Sequence, residues 1–564
     1  MCGNFTIMRL SLACLLLPLL LPAQIGLPTF ELNHRIDLTV KRLTDLERSP
    51  AFTERFLLAD VDLQPEDPRR FYNFSGDLSG RYIEVMSLVD ENMRGSVGLD
   101  GLVQKVIAKQ QEDGRFGDPK LRYTAEEIGG EHMALLWGNG RLLVGLMTYY
   151  EQTQDAAPLR AAERLADFFI GTVAESKKPE TAERLKGFGA KGIICFTQYI
   201  EGLAMLARAT GKERYVQAAK DAYEALPDRG EVHTHGYLTT LRGMLMLYEV
   251  TGEQRELDYV RQTFDALLAS PDYTRHGAVY EYFGGHGDRD EGCSSADFVR
   301  LAFHLHRLTG EDRYLDVAEE GLYNALFYNQ YPNGDFGHHF FAESGMLAGN
   351  PRRAWWCCTM HGLRALLAVQ RQSLLIEKDG KSMLQLLVTQ QYEDDRRAFS
   401  LRYGDSDELG QHYWLTVDRW DGSELHLRMP GGSQTKAQHL TVAAGDVVDF
   451  IVKYEAAFHP GTSRSEGKTL PEEPATGYLT YGPYLMGINQ DDFVAEPDWG
   501  NQVSWRNLRS GNLPLTLTAD YRHGGYPGEQ EVLSVPVSFQ TYYGHPYLRL
   551  TTEYSYGIVP KSAD

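Results

Sequence analysis

The chain has 564 residues, with 77 acidic against 56 basic side chains and a formal net charge of −21. So acidic a surface opposes nucleic acid and other polyanions and favours a neutral or small partner. At about 100–200 residues per domain, the length implies two or three domains with sizeable cores. The 32 Tyr and 7 Trp are compatible with stacking on sugar faces without requiring it.

In chain order, the first element is an export signal. Arg9 precedes an apolar run from Leu10 to Leu21 that is closed by Pro22-Ala23, too short to span a bilayer comfortably. Residues 1–23 are therefore expected to be removed, with Met8 as an alternative start, and the mature protein to be periplasmic or extracellular. No later segment has the length and polarity of a transmembrane helix. Within residues 24–84, Leu57-Leu58-Ala59-Asp60-Val61-Asp62-Leu63 reads as a lone strand that pairs with a later β region.

From residue 85 to about 382 the apolar residues recur at helical spacing, as in Tyr199, Ile200, Leu203, Leu206 and Ala207. A turn punctuates these helices: Thr210-Gly211-Lys212-Glu213-Arg214, Thr251-Gly252-Glu253-Gln254-Arg255 and Thr309-Gly310-Glu311-Asp312-Arg313, with a degenerate copy at Gln152-Thr153-Gln154-Asp155. Glycine ends one helix in a left-handed conformation and polar residues open the next. Thr153, Thr210, Thr251 and Thr309 are separated by about one helical hairpin plus loops. Repeated hairpins with unequal spacing and long insertions predict an (α/α)6 toroid whose loops converge on one face. The longest insertion, residues 271–296, contains Glu281, Glu291 and Cys293.

Beyond about residue 383 the period becomes two, as in Tyr413-Trp414-Leu415-Thr416-Val417 and Leu533-Ser534-Val535-Pro536-Val537-Ser538-Phe539. Residues 383–564 are therefore expected to form one or two β-sandwiches. The whole reads as a multidomain α + β protein.

Chemistry concentrates in two places. Asp290-Glu291-Gly292-Cys293 and Trp355-Trp356-Cys357-Cys358 supply three sulfurs and a carboxylate as two close pairs, a donor set that suits tetrahedral Zn²⁺ and not Mg²⁺ or Ca²⁺. Structural disulfides are the alternative, because the mature chain keeps four cysteines, Cys195, Cys293, Cys357 and Cys358. Upstream, Glu281 lies among aromatics in Val279-Tyr280-Glu281-Tyr282-Phe283, where desolvation suits a carboxyl to general acid work. His338 or His339 is a further residue that could line the pocket, and Trp355 or Trp356 could stack on a sugar. His132 and His286 read as structural or surface residues.

These residues resemble the glycoside hydrolase family 127 β-L-arabinofuranosidases. Glu281-Tyr282-Phe283 is similar to the family's Glu-Ala-Phe and Glu291-Gly292-Cys293 to its Glu-Thr-Cys. The likeness continues through Cys357-Cys358 to Leu425-His426-Leu427-Arg428-Met429-Pro430, Gly445-Asp446 and Tyr481-Gly482-Pro483.

The resemblance implies Zn²⁺ on Glu291, Cys293, Cys357 and Cys358, Cys357 as nucleophile, Glu281 as acid/base, net retention of configuration and a carbohydrate substrate. It also implies sugar contact by His235, with His233 nearly as good a match. Gln198 stands where the family has a His, and Thr359-Met360-His361 where it has Pro-Pro-Asn. Gln198, His338 and His361 are therefore taken with His235 as substrate-binding candidates. Other classes left open are a toroid-fold lyase or unsaturated-uronide hydrolase, and a non-catalytic sugar-binding protein with a structural zinc. The sugar, its linkage and the oligomeric state are not legible.

Overall fold

The computed structural model describes residues 31–560, apart from 68–72, 186–191, 286–288, 342–346, 461–476, 489–501, 507–514, 523–531, 542–558 and a few single or paired positions. The expected export signal and His286 lie outside the described residues, as does the side chain of His339.

Among the described residues, twelve helices alternate between an outer and an inner position. In chain order they are α1 (Glu31–Thr44), α2 (Asp77–Leu88), α3 (Leu99–Ile107), α4 (Gly130–Thr153), α5 (Ala156–Ser176), α6 (Ile200–Thr210), α7 (Glu213–Tyr223), α8 (Thr234–Thr251), α9 (Gln254–Leu268), α10 (Gly292–Thr309), α11 (Asp312–Glu320) and α12 (Cys357–Gln372). The even-numbered helices close a ring: α2 packs on α4, α4 on α6, α6 on α8, α8 on α10, α10 on α12, and α12 back on α2. Each odd-numbered helix packs outside an inner one, α1 on α12 and the rest on the inner helix that precedes them. This is the (α/α)6 toroid.

The inner helices are buried almost all round, whereas the outer ones bury one stripe, such as Leu257, Val260, Phe264 and Leu267 of α9. The recurring turn has one local structure. Gly211, Gly252 and Gly310 have φ of 66°, 72° and 70°, and Gln154 holds the same left-handed position at φ 59°. The threonine before each helix end donates to the carbonyl four residues back and accepts the amide two residues on. For Thr210 these bonds run to Leu206 and from Lys212, at 2.7 and 3.3 Å. Thr153, Thr251 and Thr309 repeat them.

Two expectations about the N-terminal segment are corrected. Residues 57–63 are not a strand, since Glu54–Asp62 is helical, opened by Thr53, whose side chain accepts from the Phe56 amide. Asp60 within this helix is buried. Its Oδ2 accepts from the amides of Gly76 and Leu78 at 2.9 and 3.1 Å and so organises the start of α2. Nor do the helices begin at residue 85. The helix α1 precedes it, burying Leu32, Ile36, Val40 and Leu43, and completes the outer ring.

Close backbone approach joins α2 to α4. A Cβ at Gly80 would lie 2.5 Å from Leu142 Cα, and one at Gly145 would lie 2.3 Å from the Gly80 oxygen. Gly80→Ala is expected to destabilise the protein by ~1–3 kcal/mol through overpacking. Thermal denaturation at the wild-type midpoint would disprove it.

After α12 the chain turns to β-structure. Residues 375–454 supply a four-stranded and a five-stranded sheet, and a seven-stranded sheet follows from Ala456 onward. The expected β region is thus present, though its first strand, Leu375–Lys378, precedes residue 383. Arg428 joins sheet to ring by reaching Glu319 of α11 at 2.6 Å and also Asp316.

Candidate active site

Three inner helices begin at the same end of the ring, and their first residues carry the candidate chemistry. His233 caps α8, accepting from the Gly236 amide at 3.4 Å. Glu291 is the N-cap residue of α10 and Cys293 lies in its first turn, while Cys357 and Cys358 open α12. The expectation that Glu291 and Cys293 lie within a loop is corrected accordingly. Helix N-termini carry a partial positive charge and unpaired amides, so the anionic forms of carboxylate and thiol are favoured there.

The donor atoms of Glu291, Cys293, Cys357 and Cys358 all lie within 4.8 Å of one another. The Cys293–Cys358 and Cys357–Cys358 sulfur separations are 3.6 and 3.9 Å. A tetrahedral ion with bonds of about 2.3 Å requires sulfurs about 3.8 Å apart, whereas a disulfide requires about 2.05 Å. The four described cysteines, Cys195, Cys293, Cys357 and Cys358, are free thiols, so the disulfide alternative does not hold among them and the geometry fits a thiolate-bound cation. A Cβ at Gly292 would lie 2.8 Å from Asn329 Oδ1 and 2.9 Å from Cys358 Cβ, so the Gly between the two donors lets the helices close on one another.

Negative charge in this cluster settles on Cys357. Hydrogen bonds from the Cys293 and Cys358 thiols hold its pKa well below the ordinary thiol value, with the charge of Arg81 adding to the effect. Burial pushes Cys293 and Cys358 up, and burial together with the Glu281 charge pushes Glu291 up. Four acidic groups thus crowd into one buried site, an arrangement that a divalent cation relieves.

Glu281 lies beside this cluster, within 4.8 Å of both His233 and Glu291 by its ligating atoms. Two backbone connections place it: its amide bonds to Arg289 at 3.0 Å, and its carbonyl accepts from Thr234 at 2.9 Å. Its surroundings are not purely apolar, contrary to the sequence reading, because Arg289 donates to its Oε2.

The substrate-binding candidates divide. His235 is buried against the site. Its Nδ1 contacts Asp297, its Nε2 lies 3.4 Å from an Arg81 nitrogen, and its ring centre is 4.4 Å from that of His361. His361 is 1% exposed, and neither ring nitrogen has a hydrogen-bond partner among the described residues. Gln198 commits its amide nitrogen to the fold, donating to the carbonyls of Ile194 and Gly236 at 3.2 and 2.8 Å, while its buried Oε1 has no hydrogen-bond partner among the described residues. Burial lowers the basicity of His338, which feels the charges of Arg289, Asp290, Glu281 and Cys357 and so lies toward the site. Trp355 packs on Phe52 and Phe56 as a core residue. His132 is structural, hydrogen-bonded to backbone on both sides.

Sequence reasoning missed Arg81, Trp137 and Arg289. Arg81 pairs with Asp77 at 2.8 Å, while Trp137 donates to the same carboxylate at 3.1 Å and makes edge contacts with the rings of His233 and His235. The signal available for Arg81 was the Asp77–Arg81 spacing of one helical turn, which by itself reads as an ordinary surface pair.

Below the site, the ring axis is filled with charge. Arg242 and Arg364 both pair with Glu201, Arg141 lies 3.5 Å from it, Arg364 also meets Glu84, and Arg242 also meets Asp297. Every inner helix contributes a member.

The sequence matches the β-L-arabinofuranosidase GH127 catalytic-domain family over residues 72–371. Among solved structures, a GH127 β-L-arabinofuranosidase from Geobacillus stearothermophilus T6 is similar at 16% identity and TM-score 0.65, covering 95% of this chain and 100% of that one. A second structure, of a GH127 β-arabinofuranosidase, has 16% identity and TM-score 0.60 over 91% of this chain and 90% of its own. At such identities the structural likeness speaks for the fold. Comparison with curated proteins finds no match. No described helix is long and apolar enough to cross a membrane. With a catalytic-domain match spanning more than half its length and a fold shared over 95% of it, the chain belongs to the GH127 β-L-arabinofuranosidase family of glycoside hydrolases.

Proposed function

We propose that the protein is a retaining, β-L-arabinofuranosidase-like hydrolase that releases a terminal furanose or related sugar through Cys357 as nucleophile and Glu281 as acid/base. The convergence of Glu291, Cys293, Cys357 and Cys358, with Glu281 alongside, carries this reading. Those four residues would hold Zn²⁺, which keeps the sulfurs deprotonated at neutral pH.

In the first displacement the Cys357 sulfur attacks the anomeric carbon while Glu281 gives its proton to the departing oxygen. The second begins when Glu281 takes a proton from water, whose oxygen attacks the same carbon and breaks the carbon–sulfur bond. Two inversions at one carbon give net retention. Arg289 steadies the Glu281 carboxylate after it has given up its proton, and His235, His361 and His338 are placed to contact the sugar. The apolar run from Leu10 to Leu21 supports export, which would place the activity in the periplasm or outside the cell.

Glu281→Gln is expected to lower kcat on an aryl β-L-arabinofuranoside by ~10²–10⁴-fold, the range for loss of general acid–base catalysis, with bound metal retained. The loss should shrink on substrates whose leaving group needs no proton. An undiminished kcat would remove Glu281 from the mechanism. Metal analysis of the purified protein should give at least one zinc per chain, and chelation should abolish turnover reversibly. Activity that survives complete zinc removal would refute the assignment.

A further inference from the structure

A second cluster of metal-ligating side chains lies in the β region, remote in sequence from the thiolate centre. His426, on strand Leu425–Leu427, is the direct antiparallel partner of His439 on strand His439–Leu440. Directly opposed residues hold their Cβ atoms about 4.5–5.5 Å apart, and here both imidazoles turn to the same face. Their Nδ1 atoms are 2.7 Å apart and the ring centres 4.3 Å apart. Glu424, the residue before the strand, has its carboxylate 4.0 Å from His439 Nδ1 and 3.1 Å from His426 Nε2, the nitrogen that does not face His439, so the carboxylate must turn from that nitrogen to share an ion with the two Nδ1 atoms. All three donor atoms lie within 4.8 Å of one another.

We infer that Glu424, His426 and His439 form a second metal site, one that takes a borderline divalent cation such as Zn²⁺ through two imidazoles and a carboxylate and leaves the remaining position to water. Two imidazoles and a carboxylate suit Zn²⁺, Ni²⁺ or Cu²⁺ and not Ca²⁺ or Mg²⁺. Two nitrogens on one tetrahedral ion stand about 3.3 Å apart, so the rings must separate by about 0.6 Å. With its side chain 61% exposed, His439 is free to make that movement, while the nearly buried His426 stays fixed. Binding replaces the hydrogen bond between the imidazoles and displaces Lys381, whose ammonium lies 3.8 Å from the Glu424 carboxylate.

The position gives the site a use. Strand Leu425–Leu427 also pairs with Lys381–Leu384, and the next residue, Arg428, docks the sheet on α11 through Glu319 and Asp316. A cation on His426 and Glu424 therefore fixes the strand that leads into the junction between ring and sheet, so occupancy should stiffen the junction without touching the catalytic centre.

The test is a Zn²⁺ titration of the full chain by calorimetry, with analysis of retained metal, on wild type, His439→Ala and Glu424→Gln. Wild type should take up one equivalent more than either variant, or bind that equivalent at least tenfold more tightly. Zinc should raise the wild-type melting temperature by a step that both variants lack, while turnover is the same in all three. Equal uptake and equal thermal response across the three proteins would overturn the site. The result is independent of the thiolate centre, because both variants keep Glu291, Cys293, Cys357 and Cys358; an equivalent that vanishes in Cys293→Ser and persists in His439→Ala belongs to that centre.

Discussion

Cys357→Ser is expected to abolish turnover, by ~10⁴-fold or more, the scale on which removal of a nucleophile acts in enzymes that work through a covalent intermediate. Of the four donors, Cys357 carries the expectation because charge collects there: it opens α12, receives the thiol hydrogen bonds of Cys293 and Cys358, and has the Arg81 guanidinium nearby. A serine hydroxyl in that place is a far weaker nucleophile at neutral pH. The fold should survive, since the change is nearly isosteric and leaves α10 and α12 packed on each other. Cys293→Ser should also release the metal. Single-turnover kinetics on an aryl β-L-arabinofuranoside, with circular dichroism and metal content, separates the cases. Wild-type rates in Cys357→Ser would refute the sulfur nucleophile, and the reaction would then have to be assigned to other residues of the same pocket.

The largest expected effect on stability lies in the ring axis. Glu201 is 2% exposed, and Arg242, Arg364 and Arg141 all face it. Burial alone would raise its carboxyl, but the three guanidinium groups hold it well below the usual carboxylate range. Glu201→Gln keeps the shape and removes the charge, leaving three arginines around a neutral side chain. Loss of one partner from a buried ionic network costs ~3–5 kcal/mol, most of it the penalty of the uncompensated charges. Arg313→Ala breaks an exposed pair with Asp265, whose side chains are 47% and 39% exposed, and should cost under ~1 kcal/mol. Denaturation midpoints of the two variants are the comparison. If they shift equally, the axial network is not a structural keystone. The sign of the pH dependence follows from the depressed carboxyl: the contribution of Glu201 is present above the ordinary carboxylate range and is lost as the pH falls through its lower folded value.

The axial network also bears on the site above it. Asp297 belongs to both, pairing with Arg242 on one side and with His235 on the other. The ring thus positions the His235 imidazole from beneath, through a charge cluster that lies outside the thiolate group.

Legibility in the sequence followed the range of the interactions. The Thr-Gly turn is a local structure, closed by bonds within a span of six residues, so its repetition could be read directly and with it the hairpin repeat and the toroid. The two donor pairs could be read because sulfur and carboxylate together restrict the ions they suit. The misread strand at 57–63 shows the limit. Asp60 is buried to bind the start of α2, and nothing local distinguishes a buried capping aspartate from a solvent-facing one. For the same reason α1 was left out of the ring, since its partner α12 lies some 300 residues on.

What the sequence determined by itself was therefore the architecture, the family and the set of candidate metal donors, because these depend on periodicity, turn chemistry and donor type. Tertiary structure alone decided that the sulfurs stand apart as free thiols at a tetrahedral spacing, that Glu281 has Arg289 as a partner, that the Gln198 amide nitrogen is spent on backbone carbonyls while His361 is not, and that the ring encloses an ionic axis. Each of those turns on distances between segments far apart in the chain, and such distances are fixed only when the helices close into a ring.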